Sequence, residues 1–212
     1  MTITCKPLRP VRQTDNLRLG RVSRPETRYF VTFITHDRTP WLATPDNAQA
    51  AIRILQTGHD AGDWMIEIAT CMPDHLHILF SLSGPRLTVG QCVAHWKFQI
   101  RQATNPANQW QRDFWEHRLR PDEDHETYAL YTFLNPWRAH LRSASDTWPH
   151  SWIPSPSRFQ FTQHLSPNGV PPVEWHRNYE SRFDEIHTHA RTRTPSGNLI
   201  SPSRASQAKP LH

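Results

Sequence analysis

The chain has 212 residues, of which 36% are hydrophobic, and a mean hydropathy of −0.71. This length allows one domain with a real core plus extensions. The longest apolar runs have the length of strands, which excludes a membrane span. The first residues lack the apolar segment of a signal peptide, and the three cysteines have neither zinc nor redox spacing. We therefore expect a cytoplasmic protein with reduced thiols.

The charge is divided unevenly along the chain. Residues 1–28 contain seven Lys/Arg and two acids, and residues 188–212 contain four Lys/Arg and no acid. Residues 29–187 contain 13 basic and 17 acidic residues, a net charge of −4. Basic arms rich in Pro, Ser and Thr are typical of segments that bind a polyanion, or of tails that only maintain solubility. We predict a basic arm (1–28), a domain (29–150), an irregular extension (151–187) and a basic, disordered tail (188–212).

The first half of the domain shows strand and helix patterns in alternation. Residues 27–37 alternate in polarity and predict a strand. Residues 44–62 begin with a Pro/Asp cap signal and end near Gly62, which predicts a helix. Residues 64–72 and 75–82 predict two further strands that form a hairpin around a Pro-Asp turn.

The second half of the domain continues the alternation. Residues 87–105 predict a helix that Thr88 caps, and residues 109–120 predict a fourth strand. Residues 122–144 predict an added helix with acids at its start and bases at its end. The order β-α-β-β-α-β predicts an α+β, ferredoxin-like split βαβ fold, with one antiparallel sheet and two helices on one face.

The strand over residues 75–82 contains two histidines that point the same way. Side chains on a strand alternate between faces. One face has only apolar residues, suited to packing on the helices: Leu76, Ile78, Phe80 and Leu82. His75 and His77 lie on the other, open face, where two imidazoles one repeat apart can bind a single metal ion. Half-exposed histidines without a role would give the same pattern.

A metal-dependent hydrolase is one chemistry that begins with this H-x-H pattern. Two-metal hydrolases extend it to H-x-H-x-D-H, but Leu79 and Phe80 occupy the last two positions here. No later cluster of Cys, His and Asp supplies a second metal site. An unrelated hydrolase is therefore the weaker interpretation.

Three motifs together resemble the REP-associated tyrosine transposases, which are single-tyrosine HUH enzymes. They are "MPDHLHILF" from Met72, "FWEHRLR" from Phe114 and "YTFLNPWRAHL" from Tyr131, in the order and spacing of that family. The resemblance covers roughly residues 17–155. Thr132 and Trp137 depart from the family pattern, which usually has an aliphatic residue and Val there.

The resemblance implies a mechanism. His75 and His77 would bind a divalent cation, Mg²⁺ or Mn²⁺, that polarises a phosphate of single-stranded DNA. A tyrosine hydroxyl would attack phosphorus, leaving a 5′-phosphotyrosyl bond and a free 3′-hydroxyl that later strand transfer can use. The implied partner is single-stranded DNA with a hairpin or palindromic repeat, bound by a monomer or homodimer.

The motif identifies Tyr131 as the catalytic tyrosine, carried on the added helix. Tyr128 lies three residues earlier on the same helix face and stays open as an alternative. Asn135, one turn beyond Tyr131, is a candidate third metal ligand or a cap of the kink expected at Pro136. Glu116 and His117 face opposite ways on their strand, and the sequence does not decide which lies near the site.

The candidate DNA-binding residues are basic. Lys97 and Arg101 form an i, i+4 pair on the second helix, and the family places a basic residue at Lys97. Arg18, Arg21 and Arg24 in the N-terminal arm could bind phosphates. A domesticated DNA-binding protein without turnover remains the alternative function.

Overall fold

A computed structural model of the protein describes residues 23–175, which form one antiparallel sheet with helices on both faces. The elements are β1 (Arg28–Ile34), α1 (Pro45–Asp60), β2 (Trp64–Met72), β3 (His75–Leu82), α2 (Val89–Thr104), β4 (Trp115–Arg118), α3 (His125–Arg138) and β5 (Ser151–Trp152). The predicted α+β fold and element order are confirmed. The predicted fourth strand is shorter than expected, because Trp110 forms only an isolated bridge with Thr35 before the chain turns into β4.

The sheet has the order β4-β1-β3-β2-β5, and β3 lies at its centre. β3 is hydrogen-bonded to β1 on one side and to β2 on the other, both antiparallel. The tight turn at Pro73–Asp74 joins β2 to β3, as predicted from the sequence. β3 is thus buried within the sheet, and its side chains are divided strictly between the two faces.

One face of the sheet packs against α1 and α2. Thr44 caps α1 by accepting a hydrogen bond from the Asn47 N–H, and Thr88 forms a capping box with Gln91 at the start of α2. The apolar side chains that α2 directs at the sheet are all buried: Val89, Cys92, Val93, Trp96 and Ile100. Trp96 packs against Phe33, Trp64 and Phe80, so the first core is centred on aromatic rings.

The other face is covered by α3, and the expectation that the two histidines lie on an open face is wrong. α3 packs on β2 and β3 and forms a second core with Phe30, Ile68 and Leu79. His77 is only 6% exposed beneath this helix. The sequence predicts the added helix but not the surface on which it packs, because apolar side chains of three different strands form that surface.

Residues 151–175 complete the sheet and the second core. β5 pairs with β2 through Ala69 and Thr70, and Phe159 and Phe161 are buried against α3. The sequence pattern does not indicate β5, because two residues are too few to show alternation. The predicted arm residues 1–22 and the predicted tail and extension residues 176–212 lie outside the described residues. Within residues 23–175, no helix combines the length and apolar character needed to cross a bilayer.

Gly58 in α1 provides a test of the first core. A Cβ atom at this position would lie 2.0 Å from Cζ2 of the buried Trp64 ring. We expect Gly58→Ala to lower the free energy of unfolding by about 1–3 kcal/mol, because the indole cannot move without disturbing the core. Urea denaturation measures this change.

Gly90 in α2 is the matched control, since a Cβ atom there would lie 4.0 Å from its nearest neighbour, the Thr88 hydroxyl oxygen. Gly90→Ala should raise the free energy of unfolding by about 0.4–1 kcal/mol through the lower entropy of the unfolded chain. Equal effects of the two substitutions would contradict the packing of Gly58 on Trp64.

Candidate active site

The centre of the candidate site is the histidine pair of β3. His75 and His77 point to the α3 side of the sheet, and their Nε2 atoms are 3.1 Å apart. The two rings are nearly perpendicular, with centroids 4.7 Å apart. Two nitrogen lone pairs at this distance repel, so a proton or a cation has to lie between them.

Each imidazole is held through its other nitrogen. The Nδ1 atom of His75 is 2.5 Å from Oδ1 of Asp74, and Nδ1 of His77 is 2.8 Å from Oγ1 of Thr32. A carboxylate only accepts hydrogen bonds, so neutral His75 has its proton on Nδ1 and its Nε2 lone pair toward His77. This is the hydrogen-bond arrangement that orients histidines bound to metals.

The donor set fits a divalent cation. Two nitrogens in neighbouring positions of one octahedral ion, each bound at about 2.1 Å, would lie about 3.0 Å apart. The observed separation of 3.1 Å is compatible with this value, and equally with a hydrogen bond between the two nitrogens. Among the described residues, no group of three or more His, Cys, Asp and Glu side chains could hold a metal ion. A complete site would therefore need oxygen ligands from an amide, water or phosphate.

The Asp74 carboxyl group stays ionised beside the histidine pair. Its hydrogen bond to His75 is the main cause that lowers the Asp74 pKa to about 2, and Arg38 contributes from 2.9 Å. The carboxylate therefore remains an acceptor for His75 across the whole physiological pH range. Asp74 is not among the residues predicted from the sequence, although its position directly before His75 is a signal that points to it.

Tyr131 lies directly against His77 of the histidine pair. Its ring meets the His77 ring edge-on with centroids 5.6 Å apart, and it also meets Phe30 edge-on at 5.8 Å. Tyr131 projects from α3 toward the sheet and is 7% exposed. The helix and the central strand thus bring the predicted nucleophile and the predicted metal ligands together, although they are 54 residues apart in sequence.

Two neighbours on α3 act on the Tyr131 hydroxyl. Burial raises the pKa of Tyr131, whereas the charge of Arg138 and hydrogen bonds from Asn135 and Arg138 lower it. The Arg138 guanidinium lies over the Tyr131 ring, 5.1 Å from its centroid. Arg138 is not among the residues predicted from the sequence, although a residue seven positions after Tyr131 lies two turns further along the same helix face.

Asn135 has a local role that is visible in the structure. Its side-chain amide donates to the backbone carbonyl of Tyr131 at 2.8 Å, and the residue is 9% exposed. Pro136 follows inside α3, which continues to Arg138. The amide therefore supports the helix next to the proline, where a turn of the backbone hydrogen-bond ladder is incomplete. A metal-ligand role for Asn135 remains a prediction.

Tyr128 occupies a different environment. Its ring stacks on His117 with centroids 5.4 Å apart, and its hydroxyl donates to Glu123 at 3.3 Å. Glu123 also contacts Nε2 of His117 at 2.8 Å. His117, on the α3 side of β4, thus belongs to this second cluster, whereas Glu116 faces the opposite side of the sheet and lines a pocket with Lys97.

The predicted DNA-binding residues differ in their burial and in their hydrogen-bond partners. Lys97 donates from Nζ to the backbone carbonyls of Gln111 at 2.8 Å and Asp113 at 3.1 Å. Burial lowers its pKa to about 8. Arg101 is half-buried, with no hydrogen-bond partner for its Nε atom among the described residues. Arg24 is exposed, while Arg18 and Arg21 lie outside the described residues.

The fold and the site together define an α+β protein that presents a histidine pair on its central strand to a tyrosine on a covering helix. No protein-family model matches the chain. It is 28% identical over 139 residues to a REP-associated tyrosine transposase of Haemophilus influenzae, covering 58% of this chain and 77% of the relative. It is 24% identical over 149 residues to the REP-associated tyrosine transposase of Escherichia coli K12, covering 69% and 83%.

A solved structure has the same fold. It is a REP-associated tyrosine transposase bound to a REP hairpin, with a TM-score of 0.53 and 23% sequence identity. The superposition covers 73% of this chain and 88% of that chain. The resemblance to the REP-associated tyrosine transposases that the three sequence motifs indicated is confirmed by these comparisons.

Lys97 allows a test that separates a structural role from DNA binding. We expect Lys97→Met to lower the free energy of unfolding by about 1–3 kcal/mol, because partly buried backbone carbonyls lose their donor. The salt dependence of single-strand binding should stay unchanged, whereas loss of a phosphate contact would reduce the slope of log Kd against log[salt] by about 0.7. Urea denaturation and fluorescence anisotropy measure the two quantities. A reduced slope at unchanged stability would instead identify Lys97 as the phosphate ligand that the sequence predicts.

Proposed function

We propose that this protein is a transposase that cuts and rejoins single-stranded DNA through a tyrosine nucleophile. The observation that carries the proposal is the contact of Tyr131 with His77, whose Nε2 atom faces that of His75. A tyrosine hydroxyl and two nitrogens that could bind a cation, on the same side of one strand, are groups suited to phosphoryl transfer to tyrosine. Both similar sequences are transposases, which supports the same assignment.

In the proposed reaction the Tyr131 oxygen forms a bond to phosphorus while the bond from phosphorus to the 3′ oxygen breaks. The phenolic proton is lost and the departing oxygen gains one, so the products are a 5′-phosphotyrosyl link and a 3′-hydroxyl. Arg138 favours this step, because its charge over the Tyr131 ring stabilises the phenolate that attacks and later leaves. Attack by another 3′-hydroxyl reverses the chemistry and joins two strands without an energy source.

His75 and His77 would hold a divalent cation, Mg²⁺ or Mn²⁺, with Asn135 as a candidate third ligand. The bound ion supplies Lewis-acid polarisation of the scissile phosphate. Asp74 keeps His75 in the tautomer that binding requires, and Thr32 holds the orientation of the His77 ring. Because two imidazoles bind Mg²⁺ weakly, an oxygen atom of the phosphate itself would be needed to complete the site.

The proposed substrate is single-stranded DNA beside a hairpin. The solved structure of similar fold is bound to a REP hairpin, which supports hairpin DNA as the partner of this chain. A metal-dependent hydrolase has less support, because Leu79 and Phe80 are buried in the two cores and add no ligand to the histidine pair. A DNA-binding protein without turnover would have the same fold but would form no covalent bond to DNA. The absence of a covalent protein–DNA adduct therefore distinguishes it from the enzyme.

The histidine pair should be required for cleavage and not for binding. The substrate is an oligonucleotide that contains hairpin sequences from the DNA flanking the gene. We expect His77→Ala and EDTA each to reduce nicking of this substrate by at least about 100-fold, which is the scale of electrostatic stabilisation of a transition state. DNA affinity in EDTA should change little, since Lys and Arg supply most phosphate contacts. Denaturing gels and anisotropy measure both effects. Full nicking activity in EDTA would exclude the proposed metal site.

Tyr131 should be the residue that becomes attached to DNA. Tyr131→Phe removes one hydroxyl and keeps the ring against His77, so the protein should fold, bind DNA and form no covalent adduct. The adduct is detected on denaturing gels with Mg²⁺ or Mn²⁺ and with label on the fragment 3′ of the nick, which carries the bonded 5′ phosphate.

Tyr128→Phe is the matched control on the same helix. It should retain the adduct, because the Tyr128 hydroxyl bonds to Glu123 and faces His117. An adduct that survives Tyr131→Phe and disappears with Tyr128→Phe would transfer the nucleophile to Tyr128. If neither the wild type nor Tyr128→Phe forms the adduct while both still bind DNA, the protein is a DNA-binding protein without turnover.

A further inference from the structure

A second pocket lies where β1 begins and β4 ends, outside the site described above. It has a volume of about 380 Å³ and is lined by four arginines (Arg24, Arg28, Arg118 and Arg120) and two glutamates (Glu26 and Glu123) among other residues. We call it the arginine pocket. Its size is at the lower end of pockets that bind small ligands, about 300–1,000 Å³. Apart from Arg24, none of its basic residues was singled out from the sequence.

Three of the four arginines are available to a ligand. Arg28 is committed, since its Nε atom is 2.7 Å from Oε1 of Glu67. Arg24, Arg118 and Arg120 are exposed, and within the described part of the chain their guanidinium groups have no ion pair. Like charges that line one pocket do not stabilise a fold, so this arrangement favours an anionic ligand.

The backbone of the arginine pocket is fixed in place. The Arg24 N–H donates to the hydroxyl of the buried Tyr29 at 2.7 Å, which attaches the segment before β1 to the sheet. The Leu119 N–H donates to the Arg28 carbonyl at 2.9 Å, and the Arg120 N–H donates to Glu123 at 2.6 Å. The exposed guanidinium groups therefore extend from a rigid frame, which lowers the entropic cost of binding.

The charge of the arginine pocket opposes that of its surroundings. Residues 23–175 contain 13 Lys/Arg and 15 Asp/Glu, a net charge of −2. The arginine pocket has four arginines and two glutamates, a net charge of +2 with neutral His125. One of these carboxylates, Glu123, already accepts from His117 and from the Arg120 N–H. A concave positive site on an acidic domain concentrates the electrostatic field, so it attracts a polyanion to this part of the surface.

The arginine pocket is connected to Tyr131 by α3. His125 lines the pocket at the first residue of the helix, and Tyr131 follows six residues later. This spacing corresponds to about 9 Å along the helix axis. A DNA strand whose scissile phosphate lies at Tyr131 can thus reach the arginine pocket within a few nucleotides.

We propose that the arginine pocket is a phosphate-binding site for the unpaired DNA strand beside the scissile bond, with Arg24, Arg118 and Arg120 as its phosphate ligands. The inference rests on the proposed function for its substrate, but it concerns residues that take no part in the chemistry. The site holds the strand in register on α3 and contributes affinity through the backbone without reading bases.

The test measures binding of fluorescein-labelled dT20, an unpaired strand without a hairpin, by anisotropy in EDTA at 50–200 mM KCl. The Arg118→Ser/Arg120→Ser double variant should bind more weakly at 50 mM KCl. Loss of two phosphate contacts should reduce the slope of log Kd against log[salt] by about 1.4. The wild type should therefore lose about sevenfold more affinity than the variant between these two salt concentrations.

The control removes the same charge elsewhere. Arg53 and Arg86 are exposed and lie away from the arginine pocket. The Arg53→Ser/Arg86→Ser double variant should keep the slope of the wild type, and thermal unfolding should show that both variants are folded. Equal slopes for all three proteins, or equal reductions in the two variants, would overturn the proposal. So would displacement of dT20 by free dTMP at the Kd of the 20-mer, which would indicate a mononucleotide site.

The binding assay contains no metal and requires no cleavage, so its result is independent of the enzymatic proposal. A reduced slope for Arg118→Ser/Arg120→Ser supports the arginine pocket even if the wild type forms no tyrosyl adduct. An adduct formed equally well by the wild type and the variant, together with unchanged slopes, would overturn the pocket and leave the proposed function intact.

Discussion

The pairing of β3 on both edges is the constraint on which the rest of this structure depends. A strand with β1 on one side and β2 on the other cannot rotate or slip without breaking both ladders. Its alternate side chains are therefore committed to opposite faces. Leu76 and Ile78 belong to the core beneath α1 and α2, and His75 and His77 are left on the side that α3 covers. The same register places Thr32 opposite His77, where its hydroxyl meets the imidazole.

The candidate site places charged and ionisable groups next to buried aromatic rings, whereas an ordinary protein core contains mainly apolar side chains. Phe30 stacks on His77 with centroids 5.6 Å apart and meets Tyr131 edge-on. These apolar contacts hold the imidazole and the phenol rigidly, but burial also disfavours the phenolate and raises the pKa of Tyr131. Arg138 opposes this effect from its position over the ring. Rigid placement thus comes from Phe30 on β1, and electrostatic compensation comes from Arg138, two turns beyond Tyr131 on α3.

Basic residues in this protein serve two distinct purposes. Lys97 donates to the carbonyls of the segment before β4 and lies 5.9 Å from the ring centroids of Phe33 and Phe114, so it behaves as part of the packing. Arg118 and Arg120 leave the sheet at the end of β4 and remain exposed. Sequence position does not distinguish these cases, because Lys97 and Arg120 each directly follow an apolar residue, Trp96 and Leu119. The difference arises from whether the fold supplies acceptors within reach of the cation.

The sequence by itself determined the element order, the α+β fold, the polar and apolar faces of β3 and the transposase-like motif set around Tyr131. These are local properties, since alternation, capping and motif spacing are read from neighbouring residues. Tertiary structure alone decided that α3 covers the histidines, that Tyr131 meets His77 while Tyr128 meets His117, and that Lys97 is bonded to a loop. It also decided that an irregularity at Glu67 directs Ile66 and Ile68 into different cores. Each of these depends on contacts between residues far apart in the chain, which no local pattern encodes.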